Sequence, residues 1–192
     1  MLKTKTRPAT YADIEALPPH VIGEIVFGSL HVHGFPPRTG FTIGALVSEL
    51  MSAFCTSRHG DYYVLSRPEL HLGPHVVVPD IAGWKRERLT PFPETAFIET
   101  PPDWLAEVLS PSTQTVDRTD KLAVYAEFGV GHCCYVDPVA KTLEVLVLTG
   151  GKWLLAAAFK DADSVTAPPF EAHTFPLDVL WAPESGTAST EG

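Results

Sequence analysis

The chain has 192 residues, 45% of them hydrophobic and 19% charged, with a formal net charge of −9. Such a supply of apolar residues excludes a disordered chain and suffices to bury one substantial core. The acidic balance argues against binding nucleic acid through a broad basic face, since Lys and Arg neutralising phosphates carry most of that affinity, although a local basic rim is compatible with it. No apolar run approaches the ~20 residues that cross a bilayer. The basic start, Met1 to Arg7, leads into Pro8-Ala9-Thr10 rather than an apolar signal core, so the expected location is the cytoplasm.

Thr10 is placed to cap a short helix that ends at Pro18-Pro19. Val21–Val26 and Leu30–His33 read as a β-hairpin across Phe27-Gly28-Ser29, with Gly28 supplying the positive φ of a tight turn. Apolar residues from Ile43 to Phe54 recur at helical spacing, which predicts a long helix over 39–54. Tyr62–Leu65, Leu70–Leu72 and His75–Val78 read as strands of a meander, with Ile81–Trp84 continuing beyond Asp80. Arg88 to Pro102 carries four prolines and is expected to be a long loop. After it come a strand from Trp104 to Leu109, a helix from about Val116 to Phe128, and strands around His132–Val136, Leu143–Leu148 and Trp153–Phe159. Phe170 to Leu177 closes the domain. The expectation is one domain over 1–182, with a mixed central sheet and flanking helices in an α/β (α+β mixed) arrangement, and a disordered tail over 183–192.

Cys55, Cys133 and Cys134 are odd in number, and the adjacent pair lies inside a strand-like run, so reduced core thiols are expected rather than disulfides. Zinc-type spacing is absent apart from His71 and His75, which flank Gly73-Pro74. His31 and His33 share a strand face and could bind metal; surface imidazoles at the end of a hairpin are the plainer account. Ser110 and Ser112 lack the Gly-x-Ser-x-Gly elbow of a serine hydrolase and read as turn and helix-start residues.

Two acids stand out because they interrupt apolar runs that have no packing use for them. Asp80 ends Val77-Val78-Pro79-Asp80, and Glu107 sits inside Trp104-Leu105-Ala106-Glu107-Val108-Leu109. Buried carboxylates need a partner or a metal. Alternation puts Leu105, Glu107 and Leu109 on one face of their strand, and two acids brought together from neighbouring strands make a site for a hard cation such as Mg²⁺ or Mn²⁺. On the following helix, Asp117, Lys121, Val124, Tyr125 and Phe128 fall on one stripe, so Lys121 lies in the middle of a packing face; it either reaches into the acid site or snorkels out. Lys121→Met is expected to abolish activity with thermal stability roughly intact. Lys85, Arg86, Arg88 and Arg118 follow the two acids in sequence and read as ordinary solvated charges or as a basic rim.

These residues resemble the PD-(D/E)XK nuclease-like superfamily, and within it the bacterial Uma-type group of restriction-endonuclease-like proteins, over nearly the whole chain. Pro79-Asp80 looks like the first acid, and Ala106 to Thr113 like the most recognisable segment, followed by Asp117-Arg118, Lys121, Tyr125 and Tyr135-Val136-Asp137-Pro138. The superfamily lysine stands two residues after the second acid, which here is Leu109; Lys121 matches the helix lysine that takes its place in this group. Glu24 falls where the group carries an N-terminal acid, as an auxiliary ligand or polar orienter; a solvent-facing acid on an edge strand is the alternative. Phe27 and Ser29 depart from the usual residues around the Gly turn, and no His lies within Arg38–Ile43.

The resemblance implies metal-dependent hydrolysis of phosphodiesters in nucleic acid, DNA in particular, by a homodimer. Asp80, Glu107 and the Val108 carbonyl would bind Mg or Mn, and Lys121 would orient water or stabilise developing negative charge. The alternative it leaves open is an inactive nuclease-like domain that binds nucleic acid or serves in assembly.

Overall fold

The computed structural model describes residues 7–54 and 62–183; Cys55 and the expected tail from Glu184 onward lie outside the described residues. Helix α1 (Tyr11–Glu15) starts at Thr10, whose amide donates to the Asp13 carboxylate at 2.7 Å, and leads into the hairpin β1 (Ile22–Val26) and β2 (Ser29–His33). Phe27 and Gly28 both have positive φ, 48° and 74°, the pattern of a two-residue hairpin turn. Helix α2 (Pro37–Phe54) begins two residues before the predicted start.

The expected meander is not what forms. β3 (Tyr62–Ser66) pairs antiparallel with β6 (Ile81–Lys85), while β4 (Leu70–Leu72) and β5 (His75–Val77) leave for a second sheet, where β5 pairs with β1. The breaks fall at Pro68 and Pro79, which have no amide to donate to a continuing ladder, and at Arg67, whose φ is 52°. The result is a sheet of four strands in the order β2-β1-β5-β4 and a sheet of six in the order β10-β9-β8-β7-β6-β3. β7 is Trp104–Val108, β8 His132–Asp137, β9 Thr142–Thr149 and β10 Lys152–Lys160. β7 and β8 are parallel, joined by the helical crossover that parallel neighbours require.

That crossover is three pieces end to end: α3 (Gln114–Val116), a π-helical turn (Asp117–Lys121) and α4 (Leu122–Glu127). The loop before β7 is partly ordered by a 3₁₀ turn (Arg86–Leu89) and by Ile98, which bridges to Leu70 and is buried.

β7 is buried on both faces, and its alternation sorts the two cores. Trp104, Ala106 and Val108 pack with Ile43, Leu46 and Leu50 of α2 and with Phe170, Phe175, Leu177 and Leu180 from the C-terminal segment. In that segment β11 (Ser164–Val165) pairs with β12 (Phe175–Pro176). Leu105 and Leu109 face the other way, onto Val124 and Tyr125 of α4 and onto Val26, Leu70, Leu72 and Val77 of the four-stranded sheet. Glu107, in step with Leu105, therefore points into the layer between the two sheets and the crossover helix. Cys133 and Cys134 are buried free thiols. No helix among the described residues is long and apolar enough to cross a membrane.

Candidate active site

Asp80 is not on a strand, contrary to the sequence reading. It ends the connection between the two sheets, one residue before β6. Its position is nevertheless fixed by both neighbours. β6 pairs with β7 through Ile81 and Ala106, so one step further back Asp80 lies across from Glu107, and its Oδ2 accepts a hydrogen bond from the Val108 amide at 2.8 Å.

Lys121 is 2% exposed and does not snorkel. Its Nζ lies 2.9 Å from Glu24 Oε1, 2.9 Å from Glu107 Oε1 and 3.2 Å from Asp117 Oδ1, so one ammonium joins three carboxylates from β1, β7 and the crossover helix. The π-helical turn spans Asp117 to Lys121, as such turns often do at functional sites, and both side chains are buried on its inner face. Lys121→Met would strand three acids in a buried layer, so a loss of stability replaces the intact stability expected from the sequence.

Glu24 is buried on an inner strand, which rules out the solvent-facing edge alternative. Besides Lys121 it receives the Val78 amide at 2.7 Å on Oε1, and its Oε2 is 3.1 Å from His33 Nε2. Burial alone would raise its carboxyl, but Lys121, His33 and the Val78 amide overcome that and hold it at about 2. Glu107 goes the other way: burial drives it well above the usual carboxylate range, Lys121 opposes, and repulsion from Asp117, Asp80 and Glu24 adds to the rise. Tyr125 Oη donates to Glu107 Oε1 at 2.5 Å, so the lysine and the phenol crowd one oxygen of that carboxylate. Asp80 is pushed up to about 6, mainly by burial, against the pull of the Val108 amide and Lys121.

The balance is therefore four acids, Glu24, Asp80, Glu107 and Asp117, around one ammonium and one His33 whose pKa is raised by its bond to Glu24. Excess buried negative charge is the condition that a hard cation relieves. No group of three His, Cys, Asp or Glu is arranged to hold a metal among the described residues. The donor set still fits Mg²⁺ or Mn²⁺, since two carboxylates and the Val108 carbonyl are hard oxygens and Mg²⁺ keeps several waters of its own.

Sequence reasoning weighed His33 only as a metal ligand or a surface imidazole, not as a partner of Glu24, and treated Asp117 and Tyr125 only as parts of a pattern. The recurrence of Asp117, Lys121 and Tyr125 every four residues was a usable signal; nothing local marked His33. The Lys85–Arg88 group lies at the far end of β6 from Asp80, about 17 Å along the strand, and Arg88 is occupied by Asp103 at 2.7 Å. His31 and His33 line an open cleft of about 240 Å³ with Glu24, Ser112 and Asp117.

A family model described as "Putative restriction endonuclease", Uma2, matches residues 9–179. The chain belongs to the Uma2 family. The match takes in every residue of the site above. The fold agrees with the crystal structure of a protein from Anabaena variabilis, titled a putative nuclease belonging to DUF820. The TM-score is 0.74 at 21% identity, over 90% of this chain and 98% of that one. No curated protein matches the chain.

Proposed function

We propose that this chain hydrolyses phosphodiester bonds in nucleic acid, with DNA as substrate and Mg²⁺ or Mn²⁺ as cofactor. The observation that carries the reading is the buried Lys121 ammonium shared by Glu24, Glu107 and Asp117 beside Asp80. Asp80, Glu107 and the Val108 carbonyl would hold the ion. When bound, a divalent ion polarises a phosphoryl oxygen and lowers the pKa of a coordinated water.

The remaining work falls to the chain itself. Lys121 stays protonated, because four anionic or polar neighbours outweigh the effect of its burial, so it serves as a fixed positive charge where negative charge develops on the phosphoryl group. Glu24 and Asp117 hold that ammonium in place from two sides, and Tyr125 fixes the rotamer of Glu107. A homodimer would set two such sites on the two strands of a duplex, and the cytoplasm is where that substrate is met.

The test is cleavage of plasmid DNA, linear DNA and RNA by purified protein with Mg²⁺ or Mn²⁺. Asp80→Asn and Glu107→Gln should each eliminate cleavage. Metal-independent binding with no cleavage of any substrate, and both variants indistinguishable from the parent, would favour the inactive binding module. Cleavage that survives both substitutions would mean a contaminating nuclease.

A further inference from the structure

An anionic substrate approaching this site meets a surplus of acids, so some cation must receive it. Lys121 is saturated by three carboxylates, Arg118 is paired with Glu144 at 2.7 Å, and the Lys85–Arg88 group is at the wrong end of β6. Arg67 is different. Its backbone amide donates to the Asp80 carbonyl at 2.9 Å, so the two residues are cross-strand neighbours in the backbone. Its guanidinium carbon lies 3.9 Å from the centre of the Phe35 ring, in the segment that leads into α2. No side-chain hydrogen bond or ion pair engages it among the described residues, and its Nε is buried without a partner.

Two features indicate that this placement is held against local preference. Arg67 has φ of 52°, in the left-handed region that residues with a Cβ seldom enter and that is often found where a site demands it. A half-buried cation without a carboxylate is also unusual in a chain with a net charge of −9, where acids are plentiful. Stacking on Phe35 orients the planar fork, and no side-chain partner takes up its N–H groups among the described residues; a fork so oriented is the form in which arginine takes phosphate oxygens in pairs.

We propose that Arg67, stacked on Phe35 beside Asp80, is the phosphate grip of the site, taking the non-bridging oxygens of a nucleic-acid phosphodiester. The inference rests on the hydrolase reading above and adds to it the residue that binds the strand. Arg67 is a binding residue here; no proton or bond change passes through it.

The experiment is equilibrium binding of a short labelled DNA duplex to the full chain, with Ca²⁺ replacing Mg²⁺, over a range of KCl. Arg67→Ala should weaken binding about 10- to 100-fold, as expected for one charge-assisted contact. It should also make the dependence of log K on log salt shallower by about 1, the mark of one lost phosphate contact. Arg67→Lys should keep the salt dependence and recover only part of the affinity, and Phe35→Ala should fall between the parent and Arg67→Ala. Should Arg67→Ala fold poorly, Arg67→Lys and Phe35→Ala carry the test; parental affinity in both would overturn the assignment. Parental affinity and salt dependence in Arg67→Ala would overturn it as well, while leaving the hydrolase reading untouched. A parent protein that binds neither DNA nor RNA would instead remove the hydrolase reading and this inference with it.

Discussion

Replacing Lys121 by Met tests whether the ammonium holds the three-carboxylate layer together. Methionine fills much of the same volume and removes only the charge and its donors. What remains is Glu24, Glu107 and Asp117, each no more than 3% exposed, without the ammonium that joined them and with His33 on Glu24 alone. Removing one partner from a buried ionic network costs about 3–5 kcal/mol. For a chain of this size each kcal/mol moves the melting temperature by about 2–4 °C, so Tm should drop by roughly 6–20 °C at pH 8. The loss should shrink at pH 5, because stranded carboxylates that have lost the lysine can take up protons instead, Glu107 first, since burial already holds it high. Adding Glu107→Gln to Lys121→Met should restore part of the loss at pH 8 and show non-additivity of the two changes. Thermal and urea unfolding followed by circular dichroism at the two pH values measure all of this. A Lys121→Met protein that melts within about 2 °C of the parent at pH 8 would refute the reasoning, as would a deficit that grows on acidification.

Asp80→Asn should stabilise the metal-free protein while destroying activity. The folded carboxyl titrates at about 6 against 3.8 for the free side chain, so the ionised form carries a penalty. That penalty is absent below about pH 4, grows between 4 and 6, and reaches at most about 3 kcal/mol above 6. Urea unfolding at pH 8 and pH 4 should show the gain at the first and not at the second; equal stability of parent and variant at pH 8 would contradict it. Mg²⁺ or Mn²⁺ should raise the melting temperature at pH 8, by about 5–10 °C at a hundredfold excess over Kd. The effect should fade through pH 6 as Asp80 takes its proton, and should disappear in Asp80→Asn combined with Glu107→Gln. An equal shift in that double variant would place the ion elsewhere.

Local pattern was enough to mark most strands, the long helix, and the two acids that interrupt apolar runs, because a buried strand is written in residue type and alternation alone. Glu107 could be assigned its face from the period of two, and Lys121 its stripe from the helical period, with no knowledge of what either would meet. Partners across the fold are another matter. Whether Lys121 snorkels or is buried depends on the four-stranded sheet that closes over it, and that sheet exists because β4 and β5 leave the neighbourhood of β3 and β5 pairs with β1 of the N-terminal hairpin. The same pairing turns β1 into an inner strand, so Glu24 becomes a buried ligand of Lys121 and brings His33 with it. The π-helical turn at Asp117–Lys121 and the left-handed Arg67 are likewise invisible in residue type, since neither follows from the propensity of an Asp-Arg-Thr-Asp-Lys or Ser-Arg-Pro segment. The sequence by itself determined which groups could do chemistry; only long-range pairing decided which of them share a site, because register and layer order are set by contacts between segments far apart in the chain.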